Sequence, residues 1–275
     1  LSSSRYTRKD HFHQRAKSER WVARSVYKLE ELNRRFSLIR KNDRVVDFGC
    51  APGSWLQYLG DVVGRKGAVV GYDLEPVEVG LPPQVRFHRA DIAGLTTERI
   101  RADLASVWSA VRRKPAPDPV PKSFGPHAVL SDMAPKLTGV RDADQARSVE
   151  LAEHALRLAE ALMPSPQGPA HFVAKIFQGR ETDAFVSRVK QGFHKVRLIK
   201  PEATREGSRE VFVVAEGRRP QAPGPSIPTG PKASGPGSDV GASSESHGAV
   251  AAGASDDLAR PQTDRVSGRT RRRSC

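Results

Sequence analysis

Residues 44–55 read RVVDFGCAPGSW: the β-branched pair Val45 and Val46, then Asp47, a turn with glycines at 49 and 53, and a helix start at Ser54 and Trp55. A strand that runs through a glycine turn straight into a helix is the opening unit of a doubly wound α/β sheet, with a ligand at the turn. Glycine at both positions lets the backbone approach a ligand where a Cβ would collide. The same turn excludes two ligand classes. A dinucleotide site needs G-x-G-x-x-G with a pyrophosphate on the helix N-terminus, whereas this turn is G-x-x-x-G and Pro52 removes a donor. A Walker loop needs Gly-Lys-Ser/Thr, and none follows. A ligand without phosphates is favoured, and S-adenosylmethionine is one: a nucleoside with an amino-acid tail and a cationic sulfonium.

Outward from the turn, β-branched runs recur at 68–73 (AVVGYD), 85–88 (VRFH), 127–132 (HAVLSD), 170–177 (AHFVAKIF), 195–199 (KVRLI) and 210–215 (EVFVVA). Helical periods fall near 54–63, 98–113, 144–163 and 181–192, and in the third Leu151, Ala155, Leu158 and Leu162 form one apolar stripe. The alternation predicts a mostly parallel sheet with helices on both faces. The last two strands lack a helical period between them and are expected to form an antiparallel hairpin. The segment 114–125 (KPAPDPVPKSFG) is too rich in proline for a regular element and reads as a surface loop before the fourth strand. Upstream, Val22, Val26, Leu29, Leu32 and Phe36 recur every three or four residues, which predicts an amphipathic helix over 18–36 carrying Lys28.

The 275-residue chain is 37% hydrophobic, enough for a sizeable core. Residues 217–275 are Pro, Gly, Ser and Ala with few large apolar side chains, a composition expected to be disordered. That divides the chain into a basic segment and helix at 1–43, an α/β domain at 44–216, and a basic tail. Residues 1–44 hold 13 basic and 5 acidic side chains, so over half of the formal +14 lies at the N-terminus. A polyanion such as RNA fits that segment better than a small metabolite. Two cysteines, Cys50 and Cys275, make neither a disulfide framework nor a metal site. With no apolar run of membrane-spanning length and no apolar leader, the expectation is a cytoplasmic monomer without metal or membrane partner.

Asp73 ends the second strand, where a carboxylate accepts hydrogen bonds from ribose hydroxyls, and Asp91 lies at the corresponding rim after the third, within reach of an adenine amino group. The bland alternative for each is a helix or turn cap. Lys175, in FVAKIF, is flanked by apolar neighbours that disfavour a charge and is the candidate base. Asp132, closing HAVLSD, is placed to orient Lys175 and to touch the methionine end of the cofactor, while also favouring the charged amine. Lys28 and Glu210 complete a ring able to position a sugar hydroxyl.

The segments SSSR, RSVYKL, DFGCAPGSW, YDLEP, SDMAPKLTG, FVAKIFQG and SREVFVVA, in this order over about residues 2–220, closely resemble the FtsJ/RrmJ family of S-adenosylmethionine-dependent ribosomal RNA 2′-O-ribose methyltransferases. SDMAP and KIFQG are specific; the glycine turn alone is shared by many methyltransferases. The resemblance implies a Rossmann-like class I methyltransferase domain with a seven-stranded sheet. It implies Lys28, Asp132, Lys175 and Glu210 as the Lys-Asp-Lys-Glu tetrad with Lys175 as proton acceptor, and Gly53, Trp55, Asp73, Asp91 and Asp132 at the cofactor. For bacterial members it implies a uridine of 23S ribosomal RNA, in the large ribosomal subunit, as substrate. Cys50, Ser54, the proline-rich loop and the basic tail depart from the family pattern. Competing readings are 2′-O-methylation of a transfer RNA anticodon loop or a messenger cap, and a non-catalytic RNA-binding factor in ribosome assembly. The intact tetrad argues against the last, since binding alone requires no lysine on a core strand.

Overall fold

The computed structural model describes residues 3–163 and 168–220, all within the compact unit Leu1–Pro225; a second unit, Ser226–Cys275, lies outside the described residues. Seven strands form one sheet: β1 (Arg44–Phe48), β2 (Ala68–Asp73), β3 (Val85–Arg89), β4 (Ala128–Ser131), β5 (His171–Phe177), β6 (Phe193–Ile199) and β7 (Glu210–Arg218). The spatial order is β3-β2-β1-β4-β5-β7-β6, and β7 runs antiparallel to both of its neighbours. The expected hairpin is present, with its second strand slotted between β5 and the edge strand β6. Strand β1 pairs with both β2 and β4, which places the glycine turn after Phe48 where the strand order reverses.

The central strands are continuous apolar runs because both faces are covered. Val46, Phe48, Val70, Tyr72, Val129, Phe172, Ala174 and Ile176 face a core layer shared with α4 (Thr97–Arg112), α5 (Arg141–Leu162) and α6 (Thr182–Gly192). Val45, Val69, Leu130, Val173, Phe212 and Val214 face the opposite layer, closed by α2 (Val26–Phe36) and α3 (Ser54–Val63). Each fully buried side chain of this size contributes roughly 1.5–3 kcal/mol relative to exposure. The Thr96 hydroxyl starts α4 by accepting the Arg99 N–H, a side-chain N-cap.

The N-terminal region differs from its reading. The single helix expected over 18–36 is interrupted: α1 spans Ser3–Ser18, α2 begins at Val26, and Arg20 between them has φ 63°. Val22, counted in the apolar stripe, is 42% exposed, and its N–H donates to the Gln57 side chain instead of to a helical carbonyl. The polar sequence of α1 carries no apolar period, so nothing in its pattern announced it. At the other end β7 extends to Arg218, paired with Phe193, so Gly217 and Arg218 belong to the sheet and not to the tail. The tail's expected disorder from 221 onward falls outside the described residues. The proline-rich loop is a loop as read, and its last aromatic, Phe124, is held edge-on to Trp108 and beneath the Arg44 guanidinium.

Candidate active site

The alternation of side chains along a strand builds the site. Leu130, Val173 and Phe212 belong to the core layer under α2; two residues further along that face come Asp132, Lys175 and Glu210. Each polar group thus continues an apolar row by one step, at the end of the sheet where the glycine turn lies. Lys28 reaches the same spot from α2, which carries it on the face that buries Leu29 and Leu32.

The four groups form a chain of contacts. Lys28 Nζ donates to Glu210 Oε2 at 3.0 Å, Glu210 Oε1 stands 3.8 Å from Lys175 Nζ, and Lys175 Nζ is 2.9 Å from Asp132 Oδ1. Lys175 aims its hydrogen bond at the Asp132 main-chain carbonyl, 2.6 Å away, so its approach to the carboxylate is an ion pair without hydrogen-bond alignment. Both amines are recessed, Lys175 6% and Lys28 8% exposed. Burial pushes the Glu210 carboxyl up, but Lys28 and Lys175 outweigh it and hold the group below its ordinary range.

Beside this cluster lies the glycine turn. Gly49 and Gly53 have φ of 76° and 109°, and a Cβ on Gly53 would stand 2.8 Å from Val77 and Val79. Asp73 braces the turn: its Oδ2 accepts the Ala51 N–H at 2.8 Å and its Oδ1 the Glu75 N–H at 2.9 Å. Asp91 accepts the Ala93 N–H and so does the capping work its bland reading foresaw, at the rim of a cavity of about 410 Å³ with Tyr72, His88 and Arg89. The Trp55 indole is buried, donating to the Ser25 carbonyl at 3.0 Å and packing on Phe212. What Trp55 can offer a ligand is its main-chain N–H, free in the first turn of α3. Together with the Ser25–Ser54 hydroxyl contact of 2.9 Å, that indole ties the start of α2 to the start of α3.

Sequence reading assigned no role to Asp47. It is fully buried, neither carboxylate oxygen has a partner, and burial, with Asp132 and Asp73 nearby, pushes its pKa well above the ordinary range. The signal was available: Asp47 follows Val45 by two and stands on the same face, so it extends the row on β1 as Asp132 does on β4. The carboxylates of Asp73 and Asp132, beside a phosphate-free turn with glycines at 49 and 53, fit a ligand with a cationic centre and sugar hydroxyls. Among the described residues no cluster of His, Cys, Asp or Glu is placed to hold a metal ion, and no helix is long and apolar enough to cross a membrane.

The sheet order and the cleft at its strand-order reversal define a methyltransferase-type α/β domain. A crystal structure assigned as a ribosomal RNA methyltransferase of Plasmodium falciparum shares the fold, with TM-score 0.57 and 22% identity over 72% of this chain and 99% of that one. The model of the FtsJ-like methyltransferase family matches residues 21–218. Relatives named ribosomal RNA large subunit methyltransferase E are 40% identical in Desulfatibacillum aliphaticivorans (75% of this chain, 89% of that protein) and 40% identical in Syntrophobacter fumaroxidans (76% and 95%). The chain belongs to the FtsJ-like methyltransferase family.

Proposed function

We propose that this protein transfers a methyl group from S-adenosylmethionine to the 2′-hydroxyl of a uridine ribose in 23S RNA of the large ribosomal subunit. The observation that carries the reading is the convergence of Lys28, Asp132, Lys175 and Glu210 on one recess beside the glycine turn. The names of the relatives, which specify ribosomal RNA of the large subunit, supply the substrate. Work on that particle belongs to the cytoplasm.

In this reading Gly53 and the Trp55 main chain floor the cofactor site, Asp73 meets the ribose hydroxyls, Asp91 the adenine edge and Asp132 the methionine end. When bound, the cofactor supplies a methyl carbon on a positively charged sulfur. Lys175 Nζ, in its neutral amine form, would take up the proton of the target hydroxyl and so make that oxygen the nucleophile toward the methyl carbon. A positioned base of this kind is worth about 10²–10⁴-fold in rate. Asp132 holds the Lys175 side chain through its carbonyl and carboxylate, and the Lys28–Glu210 pair fixes the other side of the recess, so the hydroxyl enters a preset geometry.

Mapping ribose methylation across total RNA, with and without this protein, tests the proposal. One mark missing from the large-subunit RNA is expected. A mark lost only from transfer RNA, or none lost, overturns it.

A further inference from the structure

The two amines of the recess, Lys175 and Lys28, are almost fully covered. With α2 over one side, a target ribose reaches them only after leaving its neighbours, at a cost of a few kcal/mol. Something has to hold the place it leaves. The segment Met133–Val140 joins β4 to α5 and begins directly after Asp132, one of the four groups of the recess. Its base lies against the glycine turn, where a Cβ on Gly49 would stand 2.7 Å from Met133.

The tip of this segment is pinned. The Asp144 carboxylate, buried in the first turn of α5, accepts the Thr138 N–H at 2.8 Å, the Thr138 hydroxyl at 2.7 Å and the Gly139 N–H at 3.2 Å. Those bonds, the Thr138 N–H first, hold the Asp144 carboxyl below its ordinary range. On the pinned tip Leu137 is 70% and Val140 61% exposed, the two most exposed large apolar side chains among the described residues. A single exposed leucine needs no explanation. A pair on either side of the Thr138–Gly139 turn that Asp144 holds, five and eight residues after Asp132 and flanked by exposed Lys136 and Arg141, does. Arg209, next to Glu210, donates to the Arg141 carbonyl at 3.3 Å and closes the cationic rim.

Resting on the RNA reading above, we propose that Leu137 and Val140 form an apolar wedge that enters the base stack beside the target nucleotide. Lys136, Arg141 and Arg209 grip the flanking phosphates. The wedge replaces lost stacking with apolar contact, as inserted side chains do in bent nucleic acids.

The test uses the full chain, tritiated donor, and large subunits purified from cells lacking the protein. Leu137→Ser with Val140→Ser is expected to lower kcat/KM about ten- to a hundred-fold, as a few kcal/mol of unstacking implies. Cofactor affinity by calorimetry and the melting temperature stay unchanged. Leu137→Met alone retains most activity. The salt dependence of subunit binding is preserved in the serine variant, which removes no charge, and flattens in Arg141→Gln with Arg209→Gln. Wild-type kcat/KM in the serine variant, or a fall accounted for by lost cofactor affinity, overturns the wedge. Subunits left unlabelled by the unaltered protein overturn the ribosomal RNA reading, and the wedge falls with it.

Discussion

Lys175 Nζ stands between two acids, Asp132 at 2.9 Å and Glu210 at 3.8 Å, and Glu210 in turn is held by Lys28. Lys175→Ala is expected to abolish methyl transfer while calorimetric cofactor affinity stays within a few-fold; unchanged turnover would remove Lys175 as the base. Asp73→Ala acts on the other half of the site. It takes the acceptor from the Ala51 N–H and, on the proposed reading, from the cofactor ribose, so cofactor affinity is expected to fall; unaltered affinity would leave Asp73 as a brace of the turn alone. Glu210 makes a pH prediction. Its folded pKa lies below the unfolded value near ~4.3, so as pH falls the unfolded chain takes up the proton first. The stabilisation is complete above that value and is lost as pH falls through the folded one. Denaturant titrations between about pH 3 and 5 should therefore show a shallower loss of stability in Glu210→Gln.

At the level of elements, α2 is a lever for the site. Leu29 and Leu32 are completely buried, and Lys28 rides on the same face. Leu32→Ala should cost about 2–5 kcal/mol in chemical denaturation. It should also lower turnover under conditions where the variant remains folded, because the helix that aims Lys28 loses its seat. The far end of the sheet answers to pH differently. His171, at the start of β5, is buried with Nδ1 unpartnered, and burial holds its pKa below the ordinary range. The unfolded chain therefore protonates first as pH falls through about 6.5, and the contribution present above that pH is lost below it. Melting temperatures measured from pH 7.5 down to 5.5, an interval of roughly two units around that value, should fall less in His171→Gln than in the parent.

Charge governs the whole molecule. The basic excess of residues 1–44 is partly spent internally: Arg15 pairs with Glu19 at 2.7 Å and lies over the Tyr27 ring. Replacing Arg5, Arg8, Lys9, Arg15 and Lys17 by neutral residues is expected to weaken RNA binding and to flatten its salt dependence, roughly one unit of slope per lost phosphate contact. An unaltered slope would move RNA docking to another surface.

The strand–turn–helix reading of 44–55, the seven apolar runs and most helix bounds were legible because parallel strands covered on both faces are written as β-branched stretches. The break between α1 and α2 was not. Val22 fits the helical period, yet a side-chain acceptor on Gln57, brought close only by folding, takes its N–H. The apolar flanks of Lys175, the strand end at Asp132 and the resemblance to the FtsJ/RrmJ family picked out Lys28, Asp132, Lys175 and Glu210 as candidates. It passed over Asp47, whose unpartnered burial appears only when β2 and β4 close on either side of β1. By itself the sequence determined the α/β architecture and the phosphate-free turn, since periodicity, glycine placement and chain direction are local properties. The tertiary structure alone decided that residues 182 positions apart in the chain share a 3.0 Å hydrogen bond. Such convergence is a property of register and packing across the sheet, which no local pattern encodes.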